Sequence, residues 1–247
     1  DFCLSRGLGD VYKRQHIDCT NARVNGESAY VYVCATPDEQ KVLYFAREKK
    51  GHEGVKGTVT EDFQGILVHD HEITFYKYGN AHQECLAHVQ RYLKDSMENE
   101  PSLIQHRKMR ELIREMVHYR NEHADDAHLD PKIVSDFEGK YQEILEKAKE
   151  EYILHEPSPY YRDGYNLYRR MQKYKTQHLL FLHDMRVPTT NNTAERCLRD
   201  YKRKQTFAMT FRSFESIEEL CQSKGVLLGV RKNNPNLYTA VKEIFNR

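Results

Sequence analysis

The first part of the chain is built from short runs of β-branched and aromatic residues. Residues 17–24, 29–35 and 41–45 have this composition, and Asn25-Gly26 between the first two runs is a strong hairpin signal. The pattern predicts three antiparallel strands joined as a meander.

A fourth apolar run is bounded by Gly65 and Asp70. Its four residues, 66–69, are too few for a helix, and the pattern predicts a buried strand whose following residue, Asp70, faces a cleft. Residues 83–88 predict a strand or turn that leads into a helix over 89–97.

From residue 101 to about residue 185 the apolar positions follow the helical period. One series repeats at i, i+3, i+4, i+7 and i+11 and consists of Tyr141, Ile144, Leu145, Ala148 and Tyr152. A second consists of Leu167, Tyr168, Met171 and Tyr174. We expect three or four helices, with Pro157 and Pro159 separating the last two.

The C-terminal part predicts three more helices. The polar segment Thr189-Thr190-Asn191-Asn192 offers N-cap side chains to a helix that carries Glu195, and residues 216–231 and 237–245 predict the other two.

Composition favours a soluble, unexported protein. Of 247 residues, 39% are hydrophobic, which is enough for a core, and no apolar run approaches the length of a membrane span. The six cysteines include no Cys-x-x-Cys pair, so we expect reduced thiols and a cytoplasmic location. Residues 1–15 have no period and are interpreted as a non-native leader, such as a translated cloning remnant.

Three acidic residues stand out by their settings. Asp18 lies in the first predicted strand, Asp70 follows the fourth, and Glu195 lies in a helix. Singly, each has an ordinary explanation, such as a turn residue or a first-turn glutamate favoured by the helix dipole. Together, they match the arrangement in a ribonuclease-H-like fold, where two strands and a helix each contribute a carboxylate. These carboxylates bind two divalent ions that promote the cleavage of phosphodiesters.

The helix that carries Glu195 is also basic. Its positive residues are Arg196, Arg199, Lys202, Arg203 and Lys204. Asp200 is their only acidic neighbour in the sequence, so we expect this stripe to contact DNA phosphates. The alternative is a solvated helix face.

Other polar groups have two interpretations. Cys85-x-x-His88 has a zinc-like spacing but no second pair, so a structural or site-supporting role is favoured. His123, Asp125, Asp126 and His128 are interpreted as a solvated loop in preference to a metal site. His69 and His71 flank Asp70, and at most one of them faces the cleft.

Four blocks of sequence carry a family resemblance. They are His16-Ile17-Asp18-x-Thr20 with Arg23-Val24-Asn25-Gly26, the stretch from Phe63 to His71, Cys85-Leu86-Ala87-His88, and Asn191-Asn192-x-Ala194-Glu195-Arg196-x-Leu198-Arg199 with Lys204-Gln205. In this order they closely resemble the insertion-sequence-66 family of transposases, over residues 16 to 232.

The resemblance implies an Asp-Asp-Glu triad at Asp18, Asp70 and Glu195 that binds two Mg²⁺ ions, with Mn²⁺ as a substitute. The implied partner is double-stranded DNA, both the element ends and the target. The chain is expected to form a homo-oligomer on DNA, and no membrane association is expected. Supporting roles are expected for His71, Cys85, His88 and Asn192. Two positions depart from the family. The residue after the first aspartate is often glutamate in the family and is Cys19 here, and an aromatic residue is common near the positions of Glu72 and Ile73. The family's N-terminal DNA-binding regions are missing, so a truncated transposase is expected.

The expected fold is α/β. A ribonuclease-H-like mixed sheet flanked by helices would be formed by residues 16–100 and 187–247. An all-helical insertion, residues 101–186, would precede the last catalytic helix. The expected function is metal-dependent DNA cleavage and strand transfer. Two alternatives remain: a catalytically silent DNA-binding or oligomerisation remnant, and a nuclease or resolvase of the same fold.

Overall fold

The computed structural model describes residues 13–233 and 236–245. These residues form two compact units. One contains the described residues up to His82 and those from Asn191 onward, and the other spans Gln83–Thr190.

Among the described residues, five strands form one mixed sheet. The strands β1 (Arg14–Val24), β2 (Glu27–Ala35) and β3 (Val42–Arg47) pair antiparallel, which confirms the predicted meander. On the other side of β1 lies β4 (Ile66–His69), parallel to it, and β5 (Ala81–Glu84) completes the order β3-β2-β1-β4-β5.

The first hairpin confirms its sequence signal. Asn25 and Gly26 both have positive φ, 49° and 89°, as the two central residues of a type I′ turn require. The strand before it begins earlier than expected. Arg14 and Gln15 were assigned to the leader, yet they belong to β1 and pair with β4. The rest of that segment, up to residue 12, lies outside the described residues.

Alternation along β1 decides which residues face which layer. Ala22 contributes to a core cluster that also contains Val33 of β2 and Ala194, Leu198 and Tyr201. The last three belong to α7 (Asn192–Ala208), so this helix covers the Ala22 face together with α8 (Phe214–Asn233).

The opposite face has its own core. Ile17 and Leu67 pack there with Phe75 and Val55. Val55 ends α1 (His52–Val55), and Phe75 lies in a short 3-10 helix, Ile73–Lys77. The first unit also contains α9 (Leu237–Phe245), a helix whose bounds match the predicted ones.

The second unit is largely helical. Its helices are α2 (Leu86–Asn99), α3 (Gln105–Glu122), α4 (Pro131–Leu154), α5 (Asp163–Lys173) and α6 (Lys175–His183). The compact unit is wider than the predicted segment 101–186, because α2 and the end of β5 belong to it.

Helical periodicity correctly located the buried faces of this unit. Tyr141, Leu145, Ala148 and Tyr152 are all buried on α4, and Ile144 is half-buried. On α5, Leu167, Tyr168 and Met171 are buried in the same way. The proline pair lies between α4 and α5, so it separates the helices of the two series but not the last two helices of the unit, which are α5 and α6.

A buried ion cluster ties elements of the helical unit together. The carboxylate of Glu84 is fully buried and accepts hydrogen bonds from Nε and Nη2 of Arg170, at 3.0 and 2.7 Å. Its Oε2 also lies 3.1 Å from Nε2 of His178, whose Nδ1 is 2.8 Å from the hydroxyl of Tyr141. A charge buried without such partners would cost several kcal/mol.

The cysteines of the described residues are free thiols, namely Cys19, Cys34, Cys85, Cys197 and Cys221. Within the described part of the chain, no helix combines the length and the apolar character needed to cross a bilayer.

Gly65 controls the approach of β4 to β1. A methyl group at this position would lie 2.7 Å from the backbone carbonyl carbon of Lys13, which immediately precedes β1. Backbone cannot move aside cheaply, so we expect Gly65→Ala to lower the free energy of unfolding by about 1–3 kcal/mol in urea denaturation.

Gly139, on the exposed face of α4, is the matched control because a methyl group there meets no atom within 4 Å. Gly139→Ala should raise stability by up to about 1 kcal/mol through helix propensity. Equal effects of the two substitutions would contradict the close packing at Gly65.

Candidate active site

Asp18 lies in β1 on the face that α7 covers. It is directly opposite Val33, and residues paired across antiparallel strands share a face. One carboxylate oxygen accepts a hydrogen bond from the backbone N–H of Cys19 at 2.7 Å. The side chain therefore points between the sheet and the helix, where it is only partly accessible to water.

Asp70 follows β4 directly. In the parallel pairing His16 is the partner of Val68, so extending this register by two residues brings Asp70 level with Asp18. The carbonyl of Asp70 accepts hydrogen bonds from the backbone N–H of Glu72 at 2.7 Å and from Nδ1 of His69 at 2.5 Å. The backbone around this carboxylate is thus fixed on both sides.

Glu195 occupies the first turn of α7. The neighbouring Ala194 and Leu198 are buried in the core, which holds the helix against β1 and β2. Only 15% of the Glu195 side chain is exposed, and one of its oxygens accepts a hydrogen bond from Arg199 at 3.1 Å.

The pKa of Asp18 reveals that the three carboxylates share one electrostatic environment. Burial, the largest cause, and the negative charge of Asp70 raise this pKa from 3.8 to about 7. The Cys19 N–H lowers it, Glu195 raises it further, and Lys50 lowers it. The charges of Asp70 and Glu195 therefore both act on Asp18, and the role of the three residues as metal ligands stays a prediction.

Lys50 is a cation that sequence reasoning missed. Its Nζ lies 2.5 Å from Oε2 of Glu72, and this hydrogen bond is the main cause that raises the pKa of Lys50, with a further contribution from Asp70. No motif marks a lysine in the glycine-containing loop that precedes α1. Only the fold places its charge beside the carboxylates.

Asn191 is the second residue that was missed. Its fully buried side chain accepts a hydrogen bond from Nδ1 of His16 and donates one to the carbonyl of Ile17, each at 2.9 Å. Burial lowers the pKa of His16 to about 4, so its ring is neutral. This clamp ties the start of α7 to the residues just before Asp18.

The clamp corrects the expected capping role of Asn191. Asn191 is the N-cap residue of α7, but its side chain does not cap the helix, because it is used by β1. Asn192, predicted to support the site, is exposed at the first helical position. Its supporting role remains a prediction.

The histidines beside Asp70 differ in burial. His69 is fully buried, and its Nε2 lies 3.2 Å from Nδ1 of His82, within hydrogen-bond distance. His71 is half-buried with its Nδ1 3.4 Å from the hydroxyl of Tyr76. A supporting role for His71 remains a prediction.

Comparison with protein families decides the wider context of this site. The family model described as "Transposase IS66 family" matches residues 12–218. The chain belongs to the IS66 transposase family. Comparison with curated proteins and with solved structures gave no match.

Membership indicates a transposase function, and so an enzyme that processes nucleic acid and binds DNA. Such transposases are typically metal-dependent. The match confirms the resemblance seen in the sequence blocks, including those that contain Asp18, Asp70 and Glu195.

The basic stripe of α7 forms more ion pairs and hydrogen bonds than the sequence suggested. Arg196 forms an ion pair with Glu39, Arg199 binds Glu195, and Lys202 donates to the carbonyl of Asn21. The expectation that Asp200 is the only acidic neighbour of the stripe was wrong, since Arg196 and Arg199 pair with Glu39 and Glu195 and Asp200 pairs with Lys224 of α8. Glu39 and Asn21 belong to segments distant in the sequence, which a helical wheel cannot reveal, whereas Glu195 is the i,i+4 neighbour of Arg199 on the same helix.

Part of the stripe nevertheless stays available. Arg196 and Arg199 keep 65% and 70% of their side chains exposed despite their partners. Arg203 and Lys204 are exposed as well and have no acidic partner among the described residues. DNA contact by these residues remains a prediction.

The remaining candidates lie in the helical unit. Cys85 is buried and precedes α2, where its carbonyl accepts from the N–H of His88 at 3.1 Å, and the ring of His88 stacks on Tyr92. A supporting role for Cys85 and His88 stays a prediction. In the α3–α4 loop, Asp125, Asp126 and His128 are exposed, as a solvated loop requires.

The raised pKa of Asp18 predicts a pH-dependent stability in the absence of divalent ions. Between about pH 4 and pH 7, the unfolded chain has lost a proton that the folded chain keeps, so the free energy of unfolding falls as pH rises. The full shift corresponds to at most about 4 kcal/mol.

Urea denaturation in a chelator at several pH values checks this dependence. Asp18→Asn cannot ionise, so its stability relative to the wild type should rise steadily across that range. A constant difference between the two proteins would contradict the raised pKa.

The Asn191 clamp predicts a large asymmetry between adjacent asparagines. Asn191→Ala leaves the His16 ring and the Ile17 carbonyl without partners in the core, which should cost about 1–3 kcal/mol of unfolding free energy. Asn192→Ala, at an exposed position, should change it by less than about 0.5 kcal/mol. Similar losses in chemical denaturation would show that the clamp contributes nothing specific.

Proposed function

We propose that this chain is the catalytic domain of a transposase with a ribonuclease-H-like fold. It would cleave DNA strands at the ends of a mobile element and transfer the resulting 3′-hydroxyls to target DNA. The observation that carries the proposal is the shared environment of Asp18, Asp70 and Glu195. Two parallel neighbouring strands and one helix supply them, and family membership makes DNA the substrate class.

The architecture supports the fold assignment. Three antiparallel strands are followed by a strand parallel to the first, in the order β3-β2-β1-β4-β5. The helical unit, Gln83–Thr190, would then be an insertion between the second aspartate and the glutamate.

The chemistry of the donor set fits magnesium or manganese. Asp18, Asp70 and Glu195 offer only carboxylate oxygens, which these hard cations prefer. Burial and the negative charges of Asp70 and Glu195 raise the pKa of Asp18, and a divalent cation would relieve the repulsion between these charges. A bound pair of such ions would activate a water or 3′-hydroxyl and stabilise the leaving oxygen.

The residues of the chain would hold and orient this centre. Asp18, Asp70 and Glu195 would be the ligands, and the Asn191 clamp would keep β1 and α7 in place, so that the ligands from these two elements stay together. Lys50 would add a positive charge beside the carboxylates.

The exposed residues of the basic stripe support double-stranded DNA as the partner. Arg203 and Lys204 extend α7 away from Glu195 with no acidic partner among the described residues, and phosphates are the groups such side chains bind. Assembly as a homo-oligomer on DNA is part of the same proposal.

A cleavage and joining assay tests this function. With Mg²⁺ and a DNA fragment that carries the element's own end, the wild type should nick the DNA and join a pre-cut end to target DNA. Glu195→Gln keeps the shape of the helix but removes a ligand. It should lower both rates at least about 100-fold, since even partners of metal ligands contribute about 10–100-fold.

Glu219→Gln is the matched control, because Glu219 is exposed on α8 and should leave both rates unchanged. Nicking without joining would favour a nuclease or resolvase. DNA binding without any metal-dependent nicking would favour a catalytically silent remnant. Either result would contradict the proposal.

A further inference from the structure

The helical unit contains an open groove between α2 and α3. Its volume is about 470 Å³, and its lining includes apolar side chains of both helices, such as Leu86 and Ile113. Two arginines of α3, Arg110 and Arg114, also line it, and no aspartate or glutamate does.

We propose that this groove binds the phosphate backbone of DNA, as a second contact surface outside the carboxylate site. The inference rests on the proposed function only in its choice of DNA as the ligand. The helical unit would then contact DNA through residues that belong neither to the carboxylate site nor to the basic stripe of α7.

Arg110 is the central observation. Its Nε is shielded from solvent and makes no hydrogen bond within the described chain, and the residue has no ion pair there. A buried donor without an acceptor is unfavourable, and an oxygen ligand in the groove would supply the missing acceptor. The backbone at this point is fixed, because Nε2 of Gln90 on α2 donates to the carbonyl of Arg110 at 3.0 Å.

Arg114 lies one turn further along the same side of α3. It is exposed and, among the described residues, it also has no acidic partner. The next basic lining residue, His118, is different because its Nε2 lies 3.3 Å from Glu122. The uncompensated charge of the groove therefore rests on the two arginines.

The other polar groups of the groove suit a phosphate as well. Thr189 and Thr190 contribute to the lining, and hydroxyl groups are common phosphate donors. The helix α2 begins at Leu86 in the same lining, so the positive end of its dipole favours an anion there. Guanidinium groups bind phosphate oxygens in a bidentate manner, which a lone lysine cannot do.

Salt-dependent binding of a fluorescent 30-base-pair duplex tests the groove. The full chain should bind the duplex, and Arg110→Ala/Arg114→Ala should bind it more weakly at every salt concentration. The slope of log K against log salt concentration should fall by about two, roughly one for each lost phosphate contact.

Lys108→Ala/Lys132→Ala is the charge-matched control. Both lysines are exposed in the same unit and neither lines the groove, so the slope should stay close to that of the wild type. Arg114→Glu alone, at an exposed position, covers the case in which the double variant does not fold, and it should also lower the slope.

Two results would overturn the proposal. One is a salt slope of the folded arginine variants equal to that of the lysine control. The other is a wild type that does not bind the duplex at all.

Glu195→Gln separates this inference from the proposed function. It should bind the duplex with the wild-type slope while cleavage is lost. If Glu195→Gln still cleaved DNA, the catalytic assignment would fail and the groove measurement would stand. A normal slope in the arginine variants would refute the groove alone.

Discussion

The parallel pairing of β1 with β4 is the constraint on which the rest of the site depends. Its register joins His16 to Val68, so it brings Asp18 and Asp70 to the same level of the sheet. Strand alternation then turns Asp18 toward the face that α7 covers, where the first turn of that helix provides Glu195. A shift of one residue in this pairing would move one aspartate away from the other two acidic residues.

Placing these acidic residues near one another lowers the stability of the folded chain when no cation is bound. Burial and the charges of Asp70 and Glu195 disfavour the ionised form of Asp18. Neighbouring groups offset part of the cost: the Cys19 N–H and Lys50 stabilise that form, and the Asn191 side chain fixes the backbone just before it. Active sites commonly concentrate such electrostatic strain, which the remainder of the core must tolerate.

Local signals predicted much of this structure. Asn25-Gly26 gave the hairpin, Gly65 and Asp70 bounded β4, and helical spacing gave the buried face of α4, because each signal depends on neighbours in the sequence. The sequence also singled out Asp18, Asp70 and Glu195, and their role as a metal site stays a prediction. Sequence reasoning missed Lys50, the Asn191 clamp and the pairing of Arg196 with Glu39, since these contacts join distant segments. Local propensity carries no information about such contacts.

The central claim is that Asp18, Asp70 and Glu195 form one centre for two divalent cations. Crystals soaked with Mn²⁺ and measured at a wavelength where manganese scatters anomalously test it most directly. We expect two anomalous peaks, both contacted by carboxylate oxygens of these three residues, and their loss in Asp70→Asn crystals. Well-ordered carboxylates with no peak between them at millimolar Mn²⁺, or peaks held only by other residues, would contradict it.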